Sequence, residues 1–366
     1  MSLTVRDLTD PAAGPHAMQT IVDTVVRAAH AQHPDATVVV HRGERIVDIA
    51  DNYDRLGYSP AAAARDGRYS RYVDERRMLR SQTSALIPGA LRELSVPEAL
   101  IVCPGIVYRR DSIDRLHTGT PHQLDLWWVG SSPGSLITLV GAVMAAALPG
   151  AEWRTNPAVH PYTESGLEIE ARVGDAWVEI GECGLAAAHV IGPDRHGLAL
   201  GLGLDRLLML RKGIDDIRLL RSDDPRVSGQ MLDLAPYRPV SAQPAARRDL
   251  SVALPAGVTA EDLGDRVREL LGPDAHLVEE VAIESVTLPS ALPLASRERL
   301  GIREGEVNVL LRVVLRDLRR ALPKQTANAL RDRLYAGLMG DRAWSGQQLA
   351  VDDGDSLAGQ PGPVAA

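Results

Sequence analysis

The chain has 366 residues, of which 24% are charged and 45% hydrophobic, so it is long enough for two domains and has the composition of a globular protein. No apolar run approaches the roughly 20 residues that cross a bilayer, which argues against a membrane-spanning helix. The net charge of −8 argues against a protein that coats nucleic acid without specificity, although local basic patches could still bind it.

The cysteine content and the N-terminal segment predict a cytoplasmic protein. Cys103 and Cys183 are the only cysteines, too few for a disulfide framework, and no His/Cys cluster has the spacing of a zinc site. The segment 1–7 lacks the apolar centre of a secretory signal peptide. A further feature of the composition is the complete absence of phenylalanine.

Hydrophobic periodicity and turn residues predict a mixture of helices and strands in the first 230 residues. The predicted elements are a helix over 16–33, a strand over 37–40, a hairpin turning at 42–43 into 45–49, a helical or loose segment over 60–69, a buried strand over 99–107 with an antiparallel partner over 123–129, a helix over 135–147, and a hairpin joining 167–172 to 176–180.

A proline-containing connector at 234–244 precedes a second module with the order βαββα, which fits a small ferredoxin-like α+β domain. Its predicted elements are a strand over 249–253, a helix over 260–271, strands over 278–286 and 306–315, and a helix over 324–338. The sequence therefore predicts an α+β protein with a catalytic domain over 1–230, a linker over 231–245, a second domain over 246–345 and a disordered tail over 346–366.

The first segment that indicates chemistry reads Tyr108-Arg109-Arg110-Asp111 and is followed, after a loop containing His117, by His122-Gln123-Leu124-Asp125. Side chains alternate faces along a strand, so Arg109 and Asp111 are predicted to share one face, and Gln123 and Asp125 another. An arginine on a rigid strand can hold an α-phosphate during attack by a carboxylate. Carboxylate and amide groups further along can bind the ammonium group of an amino acid. Together with the arginine, this pair of strands is therefore predicted to form half of a nucleotide site.

The second segment reads Gly201-Leu202-Gly203-Leu204-Asp205-Arg206 and is predicted to form a strand-to-helix turn. Glycines permit close approach of the backbone to a nucleotide, and Arg206 begins a helix that leucines bury. Alone, the turn also fits a packed glycine turn with a surface salt bridge.

Both segments resemble motifs 2 and 3 of class II aminoacyl-tRNA synthetases, and most closely those of phenylalanyl-tRNA synthetases. The resemblance extends over about residues 50–225, and it is carried by Asn52-Tyr53-Asp54, Leu79-Arg80-Ser81-Gln82-Thr83-Ser84, the two segments above and Gly213-Ile214-Asp215-Asp216-Ile217-Arg218. It implies an antiparallel-sheet catalytic domain that uses ATP and Mg²⁺.

The resemblance also implies roles for individual residues. Arg109 would hold the α-phosphate and Arg206 the γ-phosphate, as the two catalytic residues. The other implied ATP contacts are Asp111 to the adenine amine, His117 to the triphosphate, and Gly203. Glu179 would bind the metal ion. The implied contacts to the amino acid come from Gln82, Ser84, Gln123, Asp125, His160, Tyr162 and Ala199.

The predicted amino-acid pocket departs from the family pattern. His160 and Tyr162 stand where the family has two ring-stacking phenylalanines, Ala199 keeps the pocket floor small, and Glu182 places a charge where the family has a small or apolar residue. Two explanations stay open: the pocket accepts a polar aromatic substrate, or phenylalanine was removed throughout the chain. The second would allow translation while phenylalanyl-tRNA is scarce.

Three further departures affect other parts of the predicted site: Pro121 replaces an adenine-stacking phenylalanine, Gln82 a histidine and Asp125 a glutamate. The leading hypothesis is activation of phenylalanine or a more polar analogue as the adenylate, with transfer to tRNA. The alternatives are a specialised paralogue serving biosynthesis or self-resistance, and an inactive tRNA-binding or regulatory protein.

The second module contains three segments that carry a further resemblance, Tyr237-Arg238-Pro239-Val240-Ser241, Pro244-Ala245-Ala246-Arg247-Arg248-Asp249-Leu250-Ser251 and Ala327-Asn328-Ala329-Leu330-Arg331-Asp332-Arg333-Leu334. Over residues 237–335 it resembles the ferredoxin-like anticodon-binding domain of compact, single-chain phenylalanyl-tRNA synthetases. The resemblance implies a tRNA partner, tRNA-Phe in the leading hypothesis, with Arg247, Arg248, Arg319 and Arg320 as candidate phosphate contacts. The oligomeric state stays open between monomer and homodimer, because no clear motif 1 proline follows the first helix.

Overall fold

Three β-sheets and their covering helices form the part of the chain that the computed structural model describes, residues 3–132, 134–240 and 243–340. The strands are β1 (Thr37–Val40), β2 (Ile46–Asp48), β3 (Arg71–Tyr72), β4 (Arg77–Leu79), β5 (Ala99–Ile106), β6 (His122–Gly130), β7 (Trp153–Pro157), β8 (Thr163–Val173), β9 (Ala176–Ala186), β10 (His196–Gly203), β11 (Ala246–Pro255), β12 (Val278–Thr287) and β13 (Glu306–Leu315).

The α-helices are short in the middle of the chain and longer at both ends of the described part. They are α1 (Ala17–His30), α2 (Ile49–Asn52), α3 (Ile87–Glu93), α4 (Leu136–Ala147), α5 (Ala188–Ile191), α6 (Leu204–Lys212), α7 (Pro225–Ser228), α8 (Ala260–Leu271), α9 (Leu294–Leu300) and α10 (Lys324–Gly340). The predicted disordered tail at 346–366 lies outside the described residues.

The large sheet has the strand order β1-β5-β6-β10-β9-β8-β7, and every pairing except β1 with β5 is antiparallel. Helices α1 and α4 cover one face, where the apolar stripe of α1 is buried with Leu100, Leu126 and Leu200. The predicted pairing of 99–107 with 123–129 and the predicted hairpin of 167–180 are both confirmed. This sheet supplies a rigid base for the site described below.

The predicted hairpin of 37–40 with 45–49 is wrong. Strand β1 pairs in parallel with β5, whereas β2 pairs with β4 in a separate small sheet. The buried guanidinium of Arg80 donates to the carbonyls of Arg42 and Glu44, at 2.7 and 3.4 Å, and thereby holds the connection open. A buried arginine requires such acceptors, so a long-range contact replaces the local turn.

The second module contains the five predicted elements and one further helix, α9. Its sheet has the order β11-β13-β12, and α8 and α10 bury Leu263, Val267 and Leu334 against it. The capping box of Thr259 and Asp262 begins α8 where the sequence predicted a helix. The likeness to a ferredoxin-like domain stays a prediction. No helix within the described ranges is long and apolar enough to span a bilayer.

Candidate active site

A cavity of about 580 Å³ opens between β6, β9, β10 and the loop of residues 107–121. It brings together residues that are far apart in sequence and that the sequence analysis selected for ATP or amino-acid binding. The predicted site residues that line it are Gln82, Ser84, Arg109, Asp111, His117, Gln123, Asp125, Glu179, Gly203 and Arg206.

Arg109 and Asp111 lie in the loop and not on a strand, because β5 ends at Ile106. The prediction that they lie on a strand is therefore wrong, although both side chains line the same cavity. Two backbone bonds still hold the loop as a narrow extension of the sheet, from Val107 N to the Pro121 carbonyl at 2.8 Å and from Arg109 N to the Gly119 carbonyl at 3.1 Å. The Arg109 Nε atom donates to the Ser81 carbonyl at 2.7 Å, which fixes the guanidinium at the cavity wall.

Asp111 and His117, which the resemblance predicts as nucleotide contacts, both line the cavity from the loop of residues 107–121. Burial raises the pKa of the Asp111 carboxyl, and the nearby positive charges of His117 and Arg109 partly offset that effect. His117 Nδ1 lies 2.6 Å from Asp114 Oδ2, and this hydrogen bond raises the pKa of the imidazole. His117 is therefore oriented by its own loop, and its contact with a triphosphate stays a prediction.

Helix α8 of the second module packs directly on this loop. The Arg268 guanidinium donates to the carbonyls of Asp111 and Ser112, at 3.0 and 3.1 Å. Gly264 makes the approach possible, since a Cβ atom there would lie 2.5 Å from the Asp111 carbonyl oxygen. Sequence reasoning missed these residues, because nothing in the local pattern indicates a contact over such a separation.

Arg206 lies in the first turn of α6, at the predicted strand-to-helix turn. Its guanidinium donates to the Glu179 carbonyl at 2.6 Å, which connects α6 to β9. A Cβ atom on Gly203 would meet only the Ile180 carbonyl at 3.7 Å, an ordinary contact. The close approach occurs at Gly181 instead, where a Cβ atom would lie 2.3 Å from the Gly201 carbonyl oxygen.

Asp125 is the most buried acidic group lining the cavity. It accepts hydrogen bonds from Thr83 Oγ1 at 2.6 Å, Ser84 Oγ at 3.0 Å and Trp127 Nε1 at 3.0 Å. Burial outweighs these bonds and raises the pKa of the carboxyl to about 6. Ser84 thus orients Asp125, while Gln123 Oε1 accepts from the Thr83 backbone at 3.2 Å. A buried carboxylate with oriented neighbours can bind an ammonium group.

Gln82 is held at the same end of the cavity by two hydrogen bonds. Its Nε2 atom donates to the Asn52 carbonyl at 2.9 Å, and its Oε1 atom accepts from the Tyr58 hydroxyl at 3.2 Å. Both polar atoms of the amide therefore have partners within the protein.

We expect amino-acid use to depend on pH through Asp125. If Asp125 binds the ammonium group of an amino acid, as the resemblance implies, only the ionised carboxylate does so, and kcat/KM for the amino acid should rise about tenfold per pH unit up to about pH 6 and then level off. Assays of ATP–pyrophosphate exchange from about pH 5 to 7.5, with ATP binding measured in parallel, would check this. In Asp125→Asn the rise should disappear and kcat/KM should fall about 100-fold. An unchanged profile in the variant would contradict the assignment.

His160, Tyr162 and Ala199 are not among the described residues that line the cavity. Ala199 is 2% exposed and packs in a cluster with Trp127 and Tyr162. His160 Nε2 lies 3.0 Å from Glu182 Oε2, and the Tyr162 hydroxyl donates to Glu182 Oε1. Glu182 itself lines the cavity, so it stands between these two rings and the cavity. Direct contact of His160, Tyr162 or Ala199 with a substrate stays a prediction.

Glu179 lines the cavity as the predicted metal ligand. Burial raises the pKa of its carboxyl, and the charge of Arg206 partly offsets this. Within the described ranges, no three His, Cys, Asp or Glu side chains are placed to hold a metal ion together. One protein carboxylate is compatible with Mg²⁺, because this ion is usually bound by one or two carboxylates together with substrate phosphates.

A buried polar network at the cavity wall, centred on His122 and Asp205, was missed by sequence reasoning. His122 is fully buried, with Nδ1 3.0 Å from Asp205 Oδ1, and its Nε2 atom accepts from the Leu8 backbone at 3.1 Å. Arg221 approaches the same Nε2 atom at 3.0 Å. Because His122 and Asp205 lie inside the two recognised segments, the segments themselves were the available signal.

The candidate phosphate contacts of the second module lie outside the cavity. Arg247 is exposed, and Arg248 donates to Asn328 Oδ1 at 3.0 Å. Arg319 pairs with Asp223 of the first module, while Arg320 pairs with Asp317 at 3.2 Å. Their contacts with tRNA stay predictions.

Comparison with known proteins places this site in context. The family described as "tRNA synthetases class II core domain (F)" matches residues 12–231. The chain is similar to the phenylalanine–tRNA ligase alpha subunit of Teredinibacter turnerae, with 34% identity over 50% of this chain and 60% of that relative. It is also similar to the phenylalanine–tRNA ligase alpha subunit of Deinococcus radiodurans, with 31% identity over 63% of this chain and 73% of that relative.

The chain thus spans 60% of the length of the first of these relatives and 73% of the second. Among solved structures, the pyrrolysyl-tRNA synthetase of Desulfitobacterium hafniense aligns with a TM-score of 0.45 and 19% identity, over 57% of this chain and 74% of that chain.

Proposed function

Since the chain belongs to the family of class II tRNA synthetase core domains, we propose that it is a ligase that activates an aromatic amino acid with ATP and transfers it to tRNA. The observation that carries this proposal is the placement of Arg109 and Arg206 in one cavity with Asp111 and Asp125. The similarity to relatives named phenylalanine–tRNA ligase alpha subunit supports the aromatic substrate class.

In the proposed first step, the carboxylate of the amino acid attacks the α-phosphorus of ATP. The bond from that phosphorus to the bridging oxygen breaks, and pyrophosphate leaves with the electron pair. Arg109, fixed by Ser81, stabilises the charge that develops on the α-phosphate. Arg206 and His117 hold the outer phosphates, and Asp111 accepts from the adenine amine. Pro121 offers no aromatic ring for stacking, so these polar contacts carry adenine recognition.

The other groups of the cavity complete the proposed reaction. Asp125, Gln123 and Ser84 orient the ammonium group, so the carboxylate faces the α-phosphorus. Glu179 would hold Mg²⁺, which neutralises phosphate charge when bound. In the second step a terminal hydroxyl of tRNA attacks the carbonyl carbon of the adenylate, an ester forms, and AMP leaves.

We further propose that the second module, residues 246–345, binds tRNA as an anticodon-binding domain of ferredoxin-like type. Its hydrophobic core is built almost entirely from its own residues, with Ile113 of the first region added, and this supports the division into a catalytic region 1–230, a linker 231–245 and a second domain. Its contact with the loop of residues 107–121 connects tRNA binding to the ATP site through Arg268. With this role for the second module, the protein would be a synthetase of the single-chain type.

ATP–pyrophosphate exchange across the proteinogenic amino acids and polar phenylalanine analogues tests the proposed function. We expect exchange that depends on an aromatic amino acid. A strong preference for an analogue would favour the specialised paralogue. Absence of exchange with every amino acid, despite tight tRNA binding, would overturn the proposal in favour of an inactive tRNA-binding protein.

A further inference from the structure

The amino-acid end of the cavity contains an ionised side chain for which the proposed reaction has no use. Glu182 lies on β9, where it pairs with Glu168 of β8 and Gly201 of β10. Its side chain is 37% exposed and lines the cavity, together with Tyr58, Ser84 and Asp125. A Cβ atom on Gly201 would lie 3.5 Å from Glu182 Cγ, so the side chain extends across the glycine.

The Glu182 carboxylate is anchored from behind. His160 Nε2 lies 3.0 Å from Oε2, and the Tyr162 hydroxyl donates to Oε1. Burial by itself raises the pKa of the Glu182 carboxyl, but the bonds from His160 and Tyr162 outweigh burial and keep the pKa below its ordinary value. An ionised carboxylate offers about four acceptor positions, so each oxygen retains capacity towards the cavity.

The negative charge of Glu182 also affects the groups around it. It adds to burial in raising the pKa of Tyr58 to about 12 and that of Asp125 to about 6. Tyr58 lines the cavity at this end, and behind it lie Tyr162 and Trp127, which do not line the cavity; the ring centroids are 6.3 Å apart for Tyr58 and Tyr162 and 5.8 Å for Trp127 and Tyr162. The cavity therefore combines the flat ring of Tyr58 with the anchored carboxylate of Glu182, in addition to that of Asp125.

We propose that Glu182 accepts a hydrogen bond from the side chain of the substrate, so that the site takes an aromatic amino acid bearing an amino or hydroxyl donor and disfavours phenylalanine. This inference rests on the proposed function of the same cavity. A plain phenyl ring would displace water from the carboxylate without replacing its hydrogen bonds, whereas a ring with a donor would replace them. Sites built to bind a substrate donor reject the analogue that lacks it by about 10⁴-fold.

Exchange assays with 4-aminophenylalanine, tyrosine and phenylalanine test the inference. For the unmodified protein we expect kcat/KM for at least one donor-bearing substrate to exceed that for phenylalanine by about 100-fold or more. Glu182→Ala should lower that ratio by about 100-fold, and Glu182→Gln, which keeps the shape without the charge, should lower it less. Glu168→Ala is the matched control, because Glu168 pairs with Glu182 in the sheet but does not line the cavity, and its ratio should stay unchanged.

The outcomes separate the inference from the proposed function. Equal or better use of phenylalanine by the unmodified protein, or an unchanged ratio in Glu182→Ala, would overturn the role of Glu182 while leaving adenylation intact. If no amino acid supports exchange, adenylation fails, and calorimetric binding of the same three compounds still tests Glu182. Binding of 4-aminophenylalanine or tyrosine that does not exceed binding of phenylalanine, or that Glu182→Ala leaves unchanged, would then overturn the inference as well.

Discussion

Replacing Arg206 with alanine is expected to reduce kcat/KM for ATP–pyrophosphate exchange by about 10³-fold, because a fixed cation at the phosphate end of the cavity is lost. The Glu179 carbonyl would also lose its donor, at 2.6 Å in the structure. Arg206→Lys should recover part of the rate, since it restores the charge without the planar fork of donors. Arg109→Ala should give a loss of similar size.

Arg211→Ala provides the matched control for this experiment. Arg211 is in the same helix, α6, but does not line the cavity, so its replacement should leave kcat/KM within about twofold of the unmodified protein, as for a surface change. Stopped-flow binding of ATP would show whether Arg206 acts on nucleotide affinity or on the chemical step. Exchange at an undiminished rate in Arg206→Ala would remove Arg206 from the proposed site.

Replacing Asp205 with alanine is expected to lower the free energy of unfolding by about 3–5 kcal/mol, because it leaves buried polar partners unpaired. Asp205 is 4% exposed; it accepts from the His122 backbone and lies 3.0 Å from His122 Nδ1. The nearby guanidinium of Arg221 would also lose the negative charge of Asp205 that opposes its own. Urea unfolding followed by tryptophan fluorescence would measure the change.

Two variants control for the loss of a carboxylate as such. Asp205→Asn keeps an acceptor for the His122 backbone, so it should cost less than the alanine variant. Asp215→Ala removes an exposed acid from the same region, paired with Arg115 at 2.6 Å, and should change the free energy of unfolding by less than about 1 kcal/mol. If Asp205→Ala were no more harmful than Asp215→Ala, the buried network would not stabilise the fold.

Local patterns in the sequence predicted most of the secondary structure. The apolar spacing of Ile21, Val22 and Val25 indicated the buried face of α1, and the alternation around Ile169 with the turn at Gly174 indicated the β8–β9 hairpin. These elements depend on neighbours in the chain, whose periodicity the sequence displays directly. The boundary at Ile106 was missed because residues 107–121 stay paired through isolated backbone bonds after the strand has ended.

The sequence also predicted part of the site, because some of its residues lie in short local motifs. The segments around Arg109 and Arg206 carry recognisable residues, and both arginines line one cavity in the structure. The amino-acid end was harder to predict, because the position of a side chain depends on what lies behind it. The sequence predicted that His160 and Tyr162 line the amino-acid pocket. In the structure both side chains bind Glu182, and it is Glu182 that lines the cavity.

The sequence by itself determined the longer helices, most of the strands, the family and the two arginines, because periodicity, turn residues and short motifs are local properties of the chain. Only the tertiary structure decided that β1 pairs with β5, that Arg268 holds the loop of residues 107–121, and that Glu182 lines the cavity. The first two depend on arginines that find backbone acceptors far away in the chain or in another element, and the third on Glu182 finding donors in His160 and Tyr162. Such groups must be paired wherever the fold brings a partner, and no local pattern indicates which partner that will be.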